Sequence, residues 1–224
     1  MTKEILLNKQ GQAILKDGKV ISVNSSPTPS VPTTLGSRID DKATVVGVLQ
    51  DHEGNDYVLA VVDAAYRSNS GMAWGQKGVD TPLQNSTNYE VSDKADHHTG
   101  KYNTDIILST YEASNYPAFN FAINACSVTI GSNTYYSVLP SMNELNLIYE
   151  NKDVLDQYDP TVIQYSSRSL STFKCGGLFG LLSSNECNSE IACSLSPSGT
   201  RFNRVIKNES NLNGVCPVIC IPLS

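Results

Sequence analysis

Apolar and polar positions alternate along the first 23 residues around two turn signals. Ala13-Ile14-Leu15 and Val20-Ile21-Ser22-Val23 flank Asp17-Gly18. Both positions of that pair favour φ > 0, so the spacing predicts a two-residue β-hairpin. Asn8-Lys9-Gln10-Gly11 is a second turn candidate. A segment this short cannot bury enough surface to stand alone. Its apolar positions, Ile5, Leu6, Leu7, Ile14, Leu15, Val20, Ile21 and Val23, are the candidate anchoring residues for the main domain, another copy or a partner. Residues 24–37 then carry three prolines among Ser, Thr and Asn. That composition predicts an extended, semi-rigid linker. Two readings stay open: a tethered, separately docking arm, or an edge strand followed by a surface loop.

Residues 38–224 read as one domain. Thr44-Val45-Val46-Gly47-Val48-Leu49 and Tyr57-Val58-Leu59-Ala60-Val61-Val62 flank an acidic turn, residues 51–56. Apolar residues on both faces of both strands predict a hairpin central in a sheet. Pro117 opens a helix over 117–126, with Ala118, Phe121, Ala122 and Ala125 on one face and Phe119, Ile123 and Cys126 as a second stripe. A second helix spans about 141–151. Ser141 and Glu144 stand at capping-box spacing, and Met142, Leu145 and Tyr149 share a face. Residues 65–100 read as polar loops around the only tryptophan, Trp74. The tail 215–222 has β-branched residues broken by prolines, which belong on an edge strand. Two helices among many short strands and long loops predict an α+β fold.

Composition narrows the function. The 224 residues carry a formal charge of -6, and their Lys and Arg are scattered. Nucleic-acid binding needs clustered cations, so no nucleic-acid partner is expected. No apolar run approaches the roughly 20 residues of a membrane span. The apolar core of residues 1–9 is too short for a signal peptide, so export through this N-terminus is not expected. The six cysteines, Cys126, Cys175, Cys187, Cys193, Cys216 and Cys220, read mostly as buried free thiols. Their spacings match no paired zinc knuckles. The acidic turn lacks calcium-loop spacing. Adjacent His97 and His98 would point apart on a strand, and with His52 they read as solvated loop residues. No metal, cofactor or catalytic residue is expected.

Several stretches together carry a resemblance. Tyr136-x-x-Leu139-Pro140-Ser141-x-x-Glu144-Leu145-x-x-Ile148-Tyr149 resembles the Trp-x-Leu-Pro-Ser/Thr-x-x-Glu-Leu-x-x-Ile/Met-Tyr signature of DUF1566-type domains. Trp74-Gly75, Gly100 through Ile107, Tyr116-Pro117-Ala118 through Cys126 and Val215-Cys216-Pro217-Val218-Ile219 resemble its other motifs, in order. Gln164-Tyr165-Ser166-Ser167 stands where a Tyr-Trp-Ser-Ser strand is usual, and a tyrosine or serine replaces the tryptophan before Leu139. The resemblance covers about residues 70–220 and implies a C-type-lectin-like fold. The layout of short N-terminal segment, Pro/Ser linker and lectin-like domain is also similar to virion proteins of crAss-like tailed phages of Bacteroides. That similarity implies a non-catalytic head fibre or capsid decoration protein on the virion, assembled in the host cytoplasm and commonly a homotrimer. It would dock on capsid or other virion proteins through its N-terminus and display a domain for host surface glycans.

Two alternatives follow from the same residues. One is a bacterial cell-surface adhesin module, which needs an export route. The other is an enzyme like the formylglycine-generating enzymes, which share a related fold and use a cysteine pair. Cys216 and Cys220 would stand about 13 Å apart on an extended strand, too far to bridge without a bend. The calcium-site motifs of C-type lectins are absent. Any glycan binding is therefore expected to be calcium-independent, through exposed Tyr, Trp and Asn side chains.

Overall fold

The computed structural model describes residues 6–7, 13–14, 20–21, 30–68, 70–83, 98–158, 180–195, 202–210 and 213–223. The chain divides into two compact units, Met1–Ser30 and Val31–Ser224. The first holds an antiparallel three-strand meander: β1 (Leu6–Leu7), β2 (Ala13–Ile14) and β3 (Val20–Ile21). Leu6 pairs with Ile14, and Ile14 in turn with Val20. The β2–β3 pair is the one that flanks Asp17-Gly18. Both turn signals, with Ile5, Leu15 and Val23, lie outside the described residues.

The second unit runs through β4 (Arg38–Ile39), β5 (Ala43–Gln50), β6 (Asp56–Val62), α1 (Gly100–Thr110), α2 (Pro117–Ala125), β7 (Ser127–Ile130) and β8 (Asn133–Tyr136). It continues through α3 (Met142–Glu150), α4 (Lys152–Tyr158), β9 (Gly180–Glu186), β10 (Ile191–Leu195), β11 (Phe202–Ile206), β12 (Asn213–Gly214) and β13 (Val218–Pro222). One antiparallel sheet has the order β13-β6-β5-β4, a mixed sheet the order β11-β10-β9-β12, and β7 and β8 form a hairpin. The fold class is α+β. Among the described residues no helix is long and apolar enough to cross a membrane.

The β5–β6 hairpin sits inside its sheet, and its alternation separates two cores. Tyr57, Leu59 and Val61 face the core that also holds Leu145 and Ile148 of α3. Val58, Ala60 and Val62 face the core shared with Ile219 and Ile221 of β13. A strand buried on both faces reads as a continuous apolar run, as residues 57–62 do. Proline-containing β13 occupies an edge of the sheet. Leu35 packs on the first of these cores, and the Gly36 amide donates to the Val45 carbonyl at 2.9 Å.

Three expectations need correction. The domain has four α-helices among the described residues, not two. The added α1 buries Asn103, Thr104 and Ile107, a face too polar to show as hydrophobic periodicity. Trp74 is no loop residue available to a ligand. It is 1% exposed, packs edge-on against Phe119 with ring centroids 5.0 Å apart, and donates its Nε1–H to the Ser183 carbonyl at 2.8 Å. Gly75 beside it lies so close to Tyr116 that a Cβ would stand 2.4 Å from the ring. Finally, Cys187 and Cys193 form a disulfide across the β9–β10 hairpin, whereas Cys126, Cys216 and Cys220 are buried thiols. Cys175 lies outside the described residues.

Candidate binding site

The hairpin and α3 enclose a cleft of about 480 Å³. Its first wall is the end of β5 and β6 with the turn between them. There Asp51 folds back on its own turn: its carboxylate accepts from the amides of Glu53 and Asn55, each at 2.9 Å. Gly54 supplies the φ of +85° that closes the turn. Partial burial pushes the Asp51 carboxyl up, but the donors from Asn55 and Glu53 outweigh it and leave it below its ordinary value. The acidic residues expected to be a poor calcium loop thus form a self-bonded turn. Among the described residues, no three His, Cys, Asp or Glu side chains are placed to hold a metal ion.

Two amide–carboxylate pairs line the walls. Gln50 and Asp56 are cross-strand partners, and Gln50 Nε2 donates to Asp56 Oδ1 at 3.0 Å. Asn146 and Glu150 are one helical turn apart on α3, and Asn146 Nδ2 donates to Glu150 Oε1 at 2.8 Å. Asn143 adds a third amide. His98 closes one side, stacked on Tyr102 of α1 with ring centroids 4.4 Å apart and planes 13° from parallel. His52, from the turn, packs on both rings at 4.4 and 4.7 Å. The fold therefore joins His52 and His98, which the sequence presents as separate loop residues. His97 lies outside the described residues.

Below the cleft lies a buried carboxylate. Glu144 has no exposed surface. It accepts from the Ser141 amide at 2.7 Å, completing the capping box, from the Tyr57 hydroxyl at 2.9 Å, and from the Gly100 amide at 3.1 and 3.2 Å. The Cys220 thiol adds a contact at 3.4 Å. One side chain thus ties together the starts of α1 and α3, β6 and β13. Gly100 has no room for a side chain, since a Cβ would stand 2.3 Å from the Leu139 carbonyl oxygen. Burial pushes the Glu144 carboxyl above its ordinary value against the pull of these donors. Burial and the nearby carboxylate push the Cys220 thiol well up. A thiol held protonated is a poor nucleophile, so these surroundings do not activate Cys220.

A second buried carboxylate lies away from the cleft. Glu186 and Lys207 form an ion pair with neither side chain exposed. The Thr81 hydroxyl and amide also donate to Glu186, and Lys207 Nζ donates to the Val79 carbonyl at 2.7 Å and lies 5.0 Å from the Trp74 ring centre. Burial pushes the Glu186 carboxyl up, against the pull of Lys207 and Thr81.

No protein-family model matches the chain, and no curated protein and no solved structure is significantly similar to it.

The cleft presents amides, carboxylates and ring faces. Of the expected anchoring residues, Leu6, Leu7, Ile14, Val20 and Ile21 lie on the strands of the small unit. The cleft pairs escaped the sequence reading although both spacings were available. Asn146 and Glu150 stand at i and i+4 on a helix the sequence predicts, and Gln50 and Asp56 flank its predicted turn.

Proposed function

We propose that this chain is a non-catalytic virion structural protein, a head fibre or capsid decoration protein of a tailed phage. The N-terminal segment docks on capsid or other virion proteins. The larger unit is a C-type-lectin-like domain of DUF1566 type, displayed toward host surface glycans, and the protein acts as a homotrimer. The observation that carries this reading is the division of the chain into a three-strand unit, Met1–Ser30, and a large domain with its own cores. Two-residue strands bury too little to persist alone, so the small unit calls for a partner surface. The ordered motifs from Trp74 to Ile219 support the domain assignment.

A second reading, a bacterial cell-surface adhesin, draws support from the Cys187–Cys193 disulfide. Disulfides persist in oxidising surroundings, which include cell surfaces and virion surfaces alike. Deleting residues 1–23 separates the two. Under the virion reading, the truncated protein stays folded and is lost from purified particles. Particles that retain it overturn that reading.

A further inference from the structure

We infer that the cleft between the β5–β6 turn and α3 is a carbohydrate site that accepts neutral or amine-bearing sugars and excludes acidic ones. The inference rests on the display reading for the source of the sugar, but the site itself rests on its lining. Its volume of about 480 Å³ falls within the roughly 300–1,000 Å³ of small-molecule pockets. Sugar hydroxyls both donate and accept, and they match surfaces that alternate the two. Gln50 with Asp56, and Asn146 with Glu150, offer that alternation on opposing walls. Each amide holds its carboxylate in place, so little side-chain freedom is lost on binding. The C–H-rich face of a pyranose packs on an aromatic face. His98 at the rim, backed by Tyr102 and flanked by His52, provides one.

Charge sets the selectivity. Asp51, Asp56 and Glu150 line the cleft, and among the described residues no Lys or Arg does. A carboxylated sugar would meet three like charges. A sugar ammonium would meet carboxylates and rings, both of which attract cations.

The test is a backbone-amide NMR titration of the full chain. The probes are methyl glycosides of glucose, galactose, mannose, fucose and N-acetylglucosamine, then glucosamine, glucuronate and N-acetylneuraminate. The expected result is saturable shifts in residues 48–57, 98–102 and 141–150 with at least one neutral or amine-bearing sugar, at affinities on the order of millimolar, and none with the acidic pair. Asn146→Ala should weaken that binding about tenfold or more, equivalent to about 1.4 kcal/mol, while leaving the rest of the spectrum in place. Tyr102→Ala is the second variant, should Asn146→Ala perturb the fold. No saturable shift in the cleft with any probe, or equal binding of the acidic sugars there, overturns the inference. Such a failure leaves the docking of residues 1–23 untouched. Loss of the docking result would equally leave a sugar-binding cleft standing.

Discussion

Glu144 and Glu186 are both fully buried, and they solve the same problem in opposite ways. Glu144 is surrounded by neutral donors: two helix-start amides, a phenol and a thiol. Glu186 is paired with a buried ammonium and braced by Thr81. A carboxylate satisfied by neutral dipoles joins secondary-structure elements without importing a second charge. A buried ion pair imports two, and each then depends on the other. The first cluster is local in origin, since Ser141 and Glu144 are three residues apart. The second is assembled by the tertiary fold from residues 81, 186 and 207.

The largest effect should come from splitting the ion pair. Lys207→Met leaves Glu186 buried with no cation and is expected to cost about 3–5 kcal/mol in denaturant unfolding. The double variant Lys207→Met/Glu186→Leu should recover much of that loss. If the double variant loses as much as Lys207→Met and Glu186→Leu measured singly and summed, the clusters do not differ as described.

Next comes Glu144→Gln, expected to cost about 2 kcal/mol, because an amide nitrogen cannot accept from the Ser141 and Gly100 N–H groups. This variant also carries a pH signature. Burial raises the folded-state pKa of Glu144 above its ordinary value of 4.5. The folded protein therefore binds more protons than the unfolded chain between those two values. This contribution should be fully present below the ordinary value and be lost as pH rises from there through the raised folded value. Unfolding measured across that window should show this component in the parent and lose it in Glu144→Gln. An unchanged slope would mean that Glu144 is not the titrating group.

The Cys187–Cys193 disulfide closes a short loop beside Glu186, and Cys187→Ala/Cys193→Ala should cost about 2 kcal/mol. Its loss should couple to Lys207→Met and not to Glu144→Gln in double-mutant cycles. The smallest effect is Thr99→Ala. Thr99 Oγ1 accepts from the Tyr102 amide at 3.0 Å as the N-cap of α1. Its removal should cost about 1 kcal/mol and couple to the Glu144 cluster, because Gly100 is the next residue. Coupling to the Glu186 cluster instead would reverse the assignment.

The same comparison explains what the sequence makes legible. The capping box, the Pro117 helix and the central hairpin are local patterns, and each stands where its spacing predicts. The helix Gly100–Thr110 was hidden because its buried face bonds rather than repels water. Asn103 donates to Ser184 Oγ at 2.9 Å, and Thr104 Oγ1 accepts from the Leu139 amide at 3.3 Å. Lys207 gave no signal at all, since nothing near residue 207 announces a buried cation. The His52–His98–Tyr102 group and the cleft likewise depend on two segments meeting. Trp74 misled in the other direction, because polar neighbours in sequence concealed a core position.

The central claim is that the small N-terminal unit docks while the domain is displayed. Lysine cross-linking with mass spectrometry on intact particles addresses it most directly. Lys3, Lys9, Lys16 and Lys19 lie in the N-terminal unit, and the half-exposed Lys77 and Lys101 lie on the domain. The account predicts cross-links to other particle proteins from the first four and none from Lys77 or Lys101. Cross-links to other particle proteins mainly from the domain lysines, or a particle without this chain, would contradict it.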